Sequence, residues 1–543
     1  MTTPSFDLTT ERWIPVIRCD GRPDTVSLRD VFLQAHELRW LAAEAASMTA
    51  ALHRLLLAVL HRAVGGPTTS ERWRELWTAP ALPADQVHHY LDAHADEFDL
   101  FDAQRPFLQC PELGKLEARS AAQLVHFRSA GSNGTLFDQT TAADTLILSP
   151  GEAARWLVTV QSYDPGGTKT AFTKTKTSQA GLCNRFGVVL VEGSTLKETL
   201  LLNTCLYDPA NDLPWSSAHE DRPAWEAAPP GPEPSERLPY GWLDLLTWPT
   251  RRVLLRPTGD GTAVDGVAIT PGTALKGDEL YRAELMAAFE HRASKKKDDA
   301  GSWNPVRLHE LRGVWRHARE MLLVDDEQRH QRPRVLDHVA EQVEEGTLPR
   351  DAVFTIRVFG QQLDDSGGGS VYTWLEEQVP APAALLNARN PEIGGVLGSC
   401  VALADELGDA LLRLAENCRA AFRAEHEAKE KRNAKHNFGL TQDYWPHLPA
   451  PFAELLLDLG RAVNVGTSPK ASVLEWKHIT CDIARRAAGR LVTQLQERQG
   501  RHLYEFAGAH EEFERNVSKQ RRIFDDRVTA FLPQHGVDDD ERE

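Results

Sequence analysis

The feature that most constrains the fold is a long amphipathic helix pattern in the last third of the chain. Apolar residues recur at helical spacing over residues 395–432, and three more segments with this periodicity follow at 451–463, 472–498 and 510–532. Helices of this kind must bury their apolar faces, and helices joined by connections that contain Gly and Pro bury them most economically against one another. The sequence therefore predicts an antiparallel four-helix bundle in the C-terminal part of the chain.

The sequence before this bundle predicts both helices and strands. In SLRDVFLQAHELRWL, which begins at Ser27, apolar residues recur at helical spacing and the serine can cap the N-terminus. AALHRLLLAVLHRAV predicts a second helix, which Gly65-Gly66-Pro67 would end. Apolar and polar residues alternate in RRVLLRP and in DAVFTIRVFG, which predicts strands.

The predicted fold class is α+β, with two domains. A mixed α/β N-terminal domain covers residues 1–378, and the C-terminal four-helix bundle covers residues 379–543, because the composition changes near residues 376–382. Residues 211–239 are rich in Pro and in acidic side chains. We predict that they form a surface connector without regular elements.

The composition excludes several classes of protein. Hydrophobic residues make up 41% and charged residues 26% of the 543 positions, as in ordinary globular proteins. No apolar run is long enough to span a bilayer, and the N-terminus lacks the layout of a signal peptide, so we expect a soluble, cytoplasmic protein without a membrane partner. The seven cysteines are scattered with no C-x-x-C pair, and neither a metal site nor another cofactor is predicted.

The charge balance limits how this chain can contact nucleic acid. Its formal net charge of -17 argues against binding by bulk attraction, which normally requires a basic surface. Local basic stretches such as KTAFTKTK and RASKKK remain. Any contact with DNA or RNA is therefore expected at a few loops.

The most distinctive of these loops is DPGGTKTAFTKTKTSQAG, at residues 164–181. Its adjacent glycines and its lysines suit a contact with phosphate, but the G-x-x-x-x-G-K-[ST] spacing of a nucleotide-binding loop is absent. A solvated surface loop explains the same composition. Two further polar loops, SKKKDD at 294–299 and GQQLDDSGGGS at 360–370, keep contact with DNA or RNA open as the alternative.

Motifs for catalysis are missing from the sequence. No H-E-x-x-H zinc motif, no G-x-S-x-G nucleophile elbow and no G-x-G-x-x-G dinucleotide fingerprint is present. Together these absences favour a binding protein over an enzyme. A hydrolase with dispersed catalytic groups and a protein-protein scaffold without DNA contact stay as alternatives.

The chain resembles a known family over essentially its whole length. FDLTTERWIPV, the following VSLRDVFLQAHELRWL, YDPGGTK, LLNT and RASKKKDDAGSWNPVRLHELRGVW are similar to segments of CasA, the large subunit of the type I-E CRISPR surveillance complex Cascade. The resemblance implies a non-catalytic subunit that recognises the protospacer-adjacent motif of double-stranded DNA from the minor groove. It also implies that the subunit helps to open the duplex and recruits the helicase-nuclease.

The resemblance further implies which residues contact DNA. The family uses a glycine loop, a lysine finger and a glutamine wedge. The matching positions here are Gly166 and Gly167, the tract Lys295, Lys296 and Lys297, and the pair Gln361 and Gln362. Other Cascade subunits, the CRISPR RNA, the target DNA and the helicase-nuclease are the implied partners.

Two more groups are candidates for contacts with nucleic acid. Asn133 and Phe137 lie where the family has a loop that contacts nucleic acid, and Phe137 would either stack on a base or act as a buried anchor. Lys169, Lys174 and Lys176 are candidates for contacts with phosphate. The basic clusters at 429–437 and 485–490 would either guide a DNA strand or form solvated helix faces.

Overall fold

The computed structural model describes most of the chain. The described residues are 4–127, 146–208, 211, 213–218, 220–277, 279–293, 301–307, 313–323, 329–363, 371–387, 391–423, 440–498 and 503–532.

Contacts divide the chain into two compact units. The first unit consists of Met1–Glu310, Asp325–Thr347 and Phe354–Gln378, and the second consists of Leu311–Val324, Leu348–Val353 and Val379–Glu543. The domain prediction used a single boundary between residues 378 and 379. The second unit therefore takes in two upstream segments that the predicted bundle does not contain.

The β-structure of the described residues forms six small sheets. The strands are β1 (Ile14–Arg18), β2 (Pro23–Val26), β3 (Leu38–Leu41), β4 (Arg119–Ser120), β5 (Gly167–Thr168), β6 (Thr177–Ser178), β7 (Val188–Glu192), β8 (Ser235–Arg237), β9 (Arg251–Pro257), β10 (Val264–Pro271), β11 (Thr273–Leu275), β12 (Phe289–Arg292), β13 (Ser302–Pro305), β14 (His330–Gln331), β15 (Val353–Leu363) and β16 (Val371–Pro382). Their orders are β2-β1-β3, β4-β10-β9, β11-β8, β13-β12-β14, β16-β15-β7 and β5-β6. The predicted strands RRVLLRP and DAVFTIRVFG are confirmed as β9 and as the first part of β15.

Helices occur in both units. Those of the first unit are α1 (Leu28–Leu33), α2 (Ala46–Val64), α3 (Ser70–Thr78), α4 (Ala84–Ala93), α5 (Pro150–Tyr163), α6 (Leu196–Leu202), α7 (Trp242–Leu246), α8 (Leu280–Ala283) and α10 (Arg334–Glu344). Those of the second unit are α9 (Ala318–Leu322), α11 (Ala383–Leu386), α12 (Pro391–Arg423), α13 (Leu440–Tyr444), α14 (Pro449–Val465), α15 (Lys470–Arg498) and α16 (Leu503–Phe531). No helix in the described part of the chain combines the length and the hydropathy that a membrane crossing needs.

Helix α2 is buried along almost its whole length in the first unit. It packs against α4, α5, α6 and α7, and residues 47–61 are all buried. Its C-terminus is closed by Gly65 in the left-handed conformation, with φ of 74°. Glycine adopts this conformation without the steric penalty of a Cβ atom, so the predicted end of the helix is confirmed.

The first helical prediction is correct at its start and wrong at its end. Ser27 caps α1, because its side chain accepts a hydrogen bond from the Asp30 backbone N–H. The segment LRWL was predicted as helix but forms strand β3, which pairs antiparallel with β1. Leu38 and Leu41 are buried there, so pairing with a distant strand overrides the local helical periodicity.

The proline-rich connector at 211–239 contains more structure than the sequence predicts. Its residues 235–237 form β8, which runs parallel to β11, and Trp225 is 4% exposed. The indole ring packs against Phe98 and Phe107, at centroid distances of 5.3 and 6.1 Å. The prediction of a surface connector without regular elements is therefore wrong for this part, because one large buried ring holds the segment in the core.

The second unit is built from long helices packed through apolar and aromatic side chains. The predicted helical segments correspond to α12, α14, α15 and α16, and α12 packs against both α15 and α16. A cluster of three rings, Trp315, Phe452 and Trp476, has centroid separations of 4.8 to 5.9 Å. The arrangement of the four helices as an antiparallel bundle stays a prediction.

Candidate nucleic-acid interface

Helix α5 leads directly into the glycine-lysine loop. Its N-terminus is fixed by a capping box, in which Ser149 and Glu152 each accept a hydrogen bond from the other's backbone N–H. Pro150 occupies the first turn, where a missing N–H is harmless. The helix ends at Tyr163 with Asp164 as its C-cap, so the loop begins directly after a largely buried helix.

The loop forms a small β-hairpin in which both glycines are required. Strand β5 pairs with β6, and the Lys169 backbone N–H donates to the Lys176 carbonyl at 2.8 Å. A Cβ atom at Gly166 would lie 2.9 Å from the Ala180 nitrogen, which is closer than real Cβ atoms approach. Gly167 has φ of +106°, which other residues rarely adopt, and no atom of the described residues lies within 4 Å of its Cβ position. The hairpin thus needs glycine at both positions and leaves open space beside the second.

Buried charges hold the base of this hairpin. Asp164 is 2% exposed and accepts from Arg251 Nε at 2.6 Å and from Lys169 Nζ at 2.7 Å. Burial by itself raises the pKa of Asp164, but the charges of Lys169 and Arg251 lower the pKa below its usual value. The charge of Lys169 is therefore paired with the Asp164 carboxylate inside the protein, which disfavours the predicted contact of Lys169 with phosphate.

The tip of the hairpin presents the remaining lysines to solvent. Lys174 and Lys176 are exposed, whereas Phe172 packs against a small apolar cluster formed by Cys110, Leu113 and Ala268. This contact anchors the apolar side of the tip. Of the three predicted phosphate contacts, Lys174 and Lys176 have the more suitable surroundings.

The two glutamines near the end of β15 have different environments. Gln361 is 7% exposed, and its amide donates to the Tyr163 carbonyl at 3.0 Å and to Asn184 at 3.2 Å. Its oxygen accepts from the Trp374 indole at 3.2 Å. These bonds hold both ends of the amide inside the protein, which disfavours the predicted insertion of Gln361 into DNA. Gln362 is half-buried and is the better candidate of the pair.

One cleft is lined by the end of the 164–181 loop, by strand β13 and by the end of β15, whereas Gly166 and Gly167 are not among its lining residues. It has a volume of about 780 Å³ and lies entirely among residues of the first unit. Gln179 and Ala180, which follow β6, line one part of it, and the end of β15 from Gly360 to Leu363 lines another. Strand β13 also lines the cleft, and the connection from β12 to β13 carries the predicted lysine finger.

Several predicted residues lie outside the described part of the chain. These are Asn133 and Phe137 and the lysine tract Lys295, Lys296 and Lys297. Strands β12 and β13 pair antiparallel from Phe289 to Arg292, so the lysine tract falls in the connection between two strands that lead to and from the cleft.

Two arginines at the cleft were missed by the sequence analysis. Arg185 lies in the short 3-10 helix after the hairpin, and Arg307 follows β13. Burial lowers the pKa of Arg185, and the nearby charge of Arg307 lowers the pKa further. Two cations that repel each other at the wall of a cleft create a positive potential there, which suits an anionic ligand such as a nucleic-acid backbone. Arg307 belongs to the NPVRL segment quoted above, so the motif contained a signal for it.

The basic cluster at 485–490 pairs largely with carboxylates of its own unit. Arg485 lies 3.1 Å from Glu514, and Arg490 lies 3.0 Å from Asp443. These ion pairs favour the interpretation of this cluster as a solvated helix face. The cluster at 429–437 lies outside the described residues.

No arrangement of side chains in the described residues suggests a metal site. Those residues contain no group of three or more His, Cys, Asp or Glu side chains that could hold an ion. The absence of a metal therefore stays a prediction for the chain as a whole.

Comparisons with known proteins agree with the resemblance. The sequence model of the family described as CRISPR-associated protein Cse1 matches residues 7–487. The CRISPR-associated protein CasA/Cse1 of Thermus thermophilus is 30% identical over 501 residues, which cover 87% of this chain and 92% of that protein.

Solved structures share the fold of this chain. The crystal structure of Thermobifida fusca Cse1 is 29% identical, with a TM-score of 0.81, and the match covers 96% of this chain and 99% of that one. A chain from a structure described as a CRISPR RNA-guided surveillance complex has a TM-score of 0.72 over 95% of this chain and 100% of its own length. That chain is 22% identical, so the second likeness is one of fold. Because the family model spans most of the sequence, this chain belongs to the CRISPR-associated protein Cse1 family.

Proposed function

We propose that this chain is the large, non-catalytic subunit of a type I-E CRISPR RNA-guided surveillance complex, where it recognises the motif beside the target in double-stranded DNA. Membership of the Cse1 family supports a role in such a complex. The observation that carries the second part is the cleft lined by Gln179 and Ala180 at the end of the 164–181 loop, by strand β13 and by the end of β15. In RNA-guided systems the guide reads the long sequence by base pairing, and the protein reads the short flank.

Each element has a distinct task in this proposal. Gly166 and Gly167 allow the backbone to approach the base edges in the minor groove, where the pattern of donors and acceptors is degenerate. The protein should therefore accept several related flanks. Lys174, Lys176 and one lysine of the 295–297 tract neutralise phosphates, supported by the positive wall of Arg185 and Arg307.

Duplex opening is assigned to the glutamine loop. Gln362 enters the base step next to the flank and starts strand separation, while Gln361 holds β15 against the neighbouring backbone. Unstacking a step costs roughly a few kcal/mol, which contacts to the separated strands offset. The opened duplex then continues into the RNA–DNA hybrid, and the subunit recruits the helicase-nuclease that degrades the target.

The overall charge fits a subunit of a larger assembly. With a net charge of -17, the chain contacts DNA at local basic loops and binds the other Cascade subunits and the CRISPR RNA elsewhere. The four long helices of the second unit form an antiparallel bundle in this proposal. The complex acts in the cytoplasm.

The decisive experiment measures target binding by the reconstituted complex on duplexes with permissive and non-permissive flanks. The Gly166→Asp/Gly167→Asp double variant adds side chains and negative charge at the flank, so we expect the preference for permissive flanks to disappear while assembly persists. Gly21→Asp is the control for the strain at Gly167, since Gly21 is exposed, has φ of +85°, has no described atom within 4 Å of its Cβ position and lies in the turn between β1 and β2.

Two outcomes would contradict the proposal. A flank preference that survives the double variant unchanged would show that this hairpin does not read DNA, and binding without any salt dependence would favour a scaffold without DNA contact. Cleavage of DNA or RNA by the purified chain with divalent metal, abolished by a single substitution, would show that the subunit is catalytic.

A further inference from the structure

The base of the glycine hairpin is closed by one buried side chain. Arg251, at the start of β9, is 2% exposed and lies between the two ends of the hairpin. Its guanidinium donates to Asp164 and to the Pro165 carbonyl on the incoming side, at 2.6 and 3.2 Å. It also donates to the Gln179 carbonyl on the outgoing side, at 2.6 Å.

Backbone contacts also bring the two ends of the hairpin together. The Gly181 N–H donates to the Asp164 carbonyl at 2.8 Å, and a Cβ atom at Gly181 would lie 2.6 Å from the Ser162 carbonyl oxygen. The two ends of the hairpin therefore approach each other as closely as backbone allows. Gly166 and Gly167 directly follow Pro165, so any shift of these hairpin ends moves both glycines.

We propose that Arg251 is a positioning residue for flank recognition: it clamps the two ends of the glycine hairpin and so fixes where Gly166 and Gly167 meet the DNA. This inference rests on the proposed function of the hairpin. Arg251 itself is buried and touches no DNA. Arg251 affects flank recognition by fixing the position of the hairpin backbone, which must fit the groove to within a fraction of an ångström.

Lysine cannot replace arginine in this role. The guanidinium spreads its donors over a rigid plane and reaches a carboxylate and two carbonyls on different strands at once. A lysine ammonium keeps the positive charge beside Asp164, but its donors sit on one nitrogen, so it cannot bond to both ends of the hairpin. Arg251→Lys therefore removes the hydrogen bonds that join the two ends of the hairpin but keeps the positive charge beside Asp164.

The neighbouring Arg252 provides a matched control. It is on the same strand, is also 2% exposed, and has no carboxylate among the partners that its guanidinium contacts. Those partners include the Gly231 and Pro249 carbonyls and the Thr273 hydroxyl, which are not part of the hairpin. Arg252→Lys makes the same chemical change at the same burial and leaves the contacts at the two ends of the hairpin intact.

The test compares the two variants in the reconstituted complex. For Arg251→Lys we expect the ratio of affinities for permissive and non-permissive duplexes to fall by about 10-fold or more, because a small misplacement of a contact group has a large effect. Binding to a single-stranded target, which has no duplex flank, should stay within about two-fold of wild type because guide pairing is unaffected. Arg252→Lys should retain the wild-type ratio.

Hydrogen exchange on the purified chain gives a second readout that needs no DNA. The Lys169 amide, which bonds across the hairpin, should exchange faster in Arg251→Lys and at the wild-type rate in Arg252→Lys. Unchanged protection, or an unchanged affinity ratio in Arg251→Lys, would overturn the inference. So would global unfolding of Arg251→Lys alone, because the arginine would then support the whole unit and not the hairpin.

The glycine variants separate this inference from the proposed function. If Gly166→Asp/Gly167→Asp removes the flank preference and Arg251→Lys does not, the hairpin reads DNA but Arg251 does not position it. If neither change alters the preference, the proposed role of the hairpin itself is wrong.

Discussion

Different interactions stabilise the interior of each of the two compact units. Most of the described strands belong to the first unit, and ion pairs are buried inside it: Arg54 and Glu284 are paired at 2.9 Å with side chains that are 1% and 0% exposed. The second unit consists of long helices around packed rings such as Trp315, Phe452 and Trp476. Its ion pairs, such as Arg485 with Glu514, lie at the partly exposed surface.

The difference shows how irregular segments obtain a fixed position. A long helix presents a repeating apolar face and is positioned by packing alone. A short hairpin has too little apolar surface for this, so directional bonds from a buried arginine fix it, as Arg251 does for residues 164–181. The cost of burying such charges is acceptable only when every donor and acceptor is matched.

The largest expected effect is the loss of a buried charge in the first unit. Glu284→Gln leaves Arg54 without its counter-charge, and we expect a loss of about 3–5 kcal/mol in the free energy of unfolding. Urea unfolding measures it. The double variant Arg54→Met/Glu284→Met should lose less than Glu284→Gln, since no buried charge remains unpaired. An equal or larger loss in the double variant would contradict the role assigned to the charges.

The second unit should respond instead to the loss of apolar volume. Leu459 in α14 is 0% exposed, and Leu459→Ala should cost about 2–5 kcal/mol through lost burial and the cavity that remains. Leu412→Ala is the control, because Leu412 is 44% exposed and its truncation should change stability by less than about 0.5 kcal/mol. Equal effects of the two substitutions in urea unfolding would argue against a tightly packed helical core.

Mild acid should weaken the first unit through its buried histidines. Burial lowers the pKa of His53 to about 4 and those of His61 and His338 to about 3, so these rings are neutral when folded. In the unfolded chain these histidines bind protons below about pH 6.5, whereas in the folded chain they stay neutral. The stability that the neutral rings contribute is therefore complete above about pH 6.5 and is lost as the pH falls toward 4. Between pH 7.5 and 6.0 the three together should cost about 2–3 kcal/mol.

A single substitution tests this explanation. Within the described residues the ring nitrogens of His338 have no hydrogen-bond partner, and the ring packs against Trp73. His338→Met should therefore keep the fold and reduce the loss between pH 7.5 and 6.0 by about 0.8 kcal/mol, measured by urea unfolding at each pH. The same loss as in the wild-type protein would assign the acid sensitivity to other groups.

The smallest effect on stability is expected at the tip of the glycine hairpin. Lys174→Ala and Lys176→Ala remove exposed side chains, so unfolding should change by less than about 0.5 kcal/mol. In the assembled complex each change should reduce the slope of log affinity for DNA against log salt by about 1. Lys519→Ala, at an exposed position of α16, should leave the slope unchanged. Unchanged slopes for both tip variants would show that these lysines do not contact phosphate.

Regular elements with strong local patterns could be predicted from the sequence. Helix α2 with its Gly65 terminus, strand β9 and the long helices of the second unit each follow from periodicity and from residues adjacent in the chain. The strand β3 could not be predicted, because its conformation is decided by pairing with β1. In the same way, nothing near Gln361 in the sequence indicates that Tyr163 and Trp374 occupy its amide.

The sequence by itself determined the family, most classes of element and the position of a polar loop with adjacent glycines at 164–181. The tertiary structure decided which polar side chains remain for a ligand: Lys169 pairs with Asp164, and Asp164 pairs in turn with Arg251, 87 residues away. The physical reason is that periodicity and backbone conformation depend on neighbours in the chain, whereas burial and charge pairing depend on residues that only folding brings together.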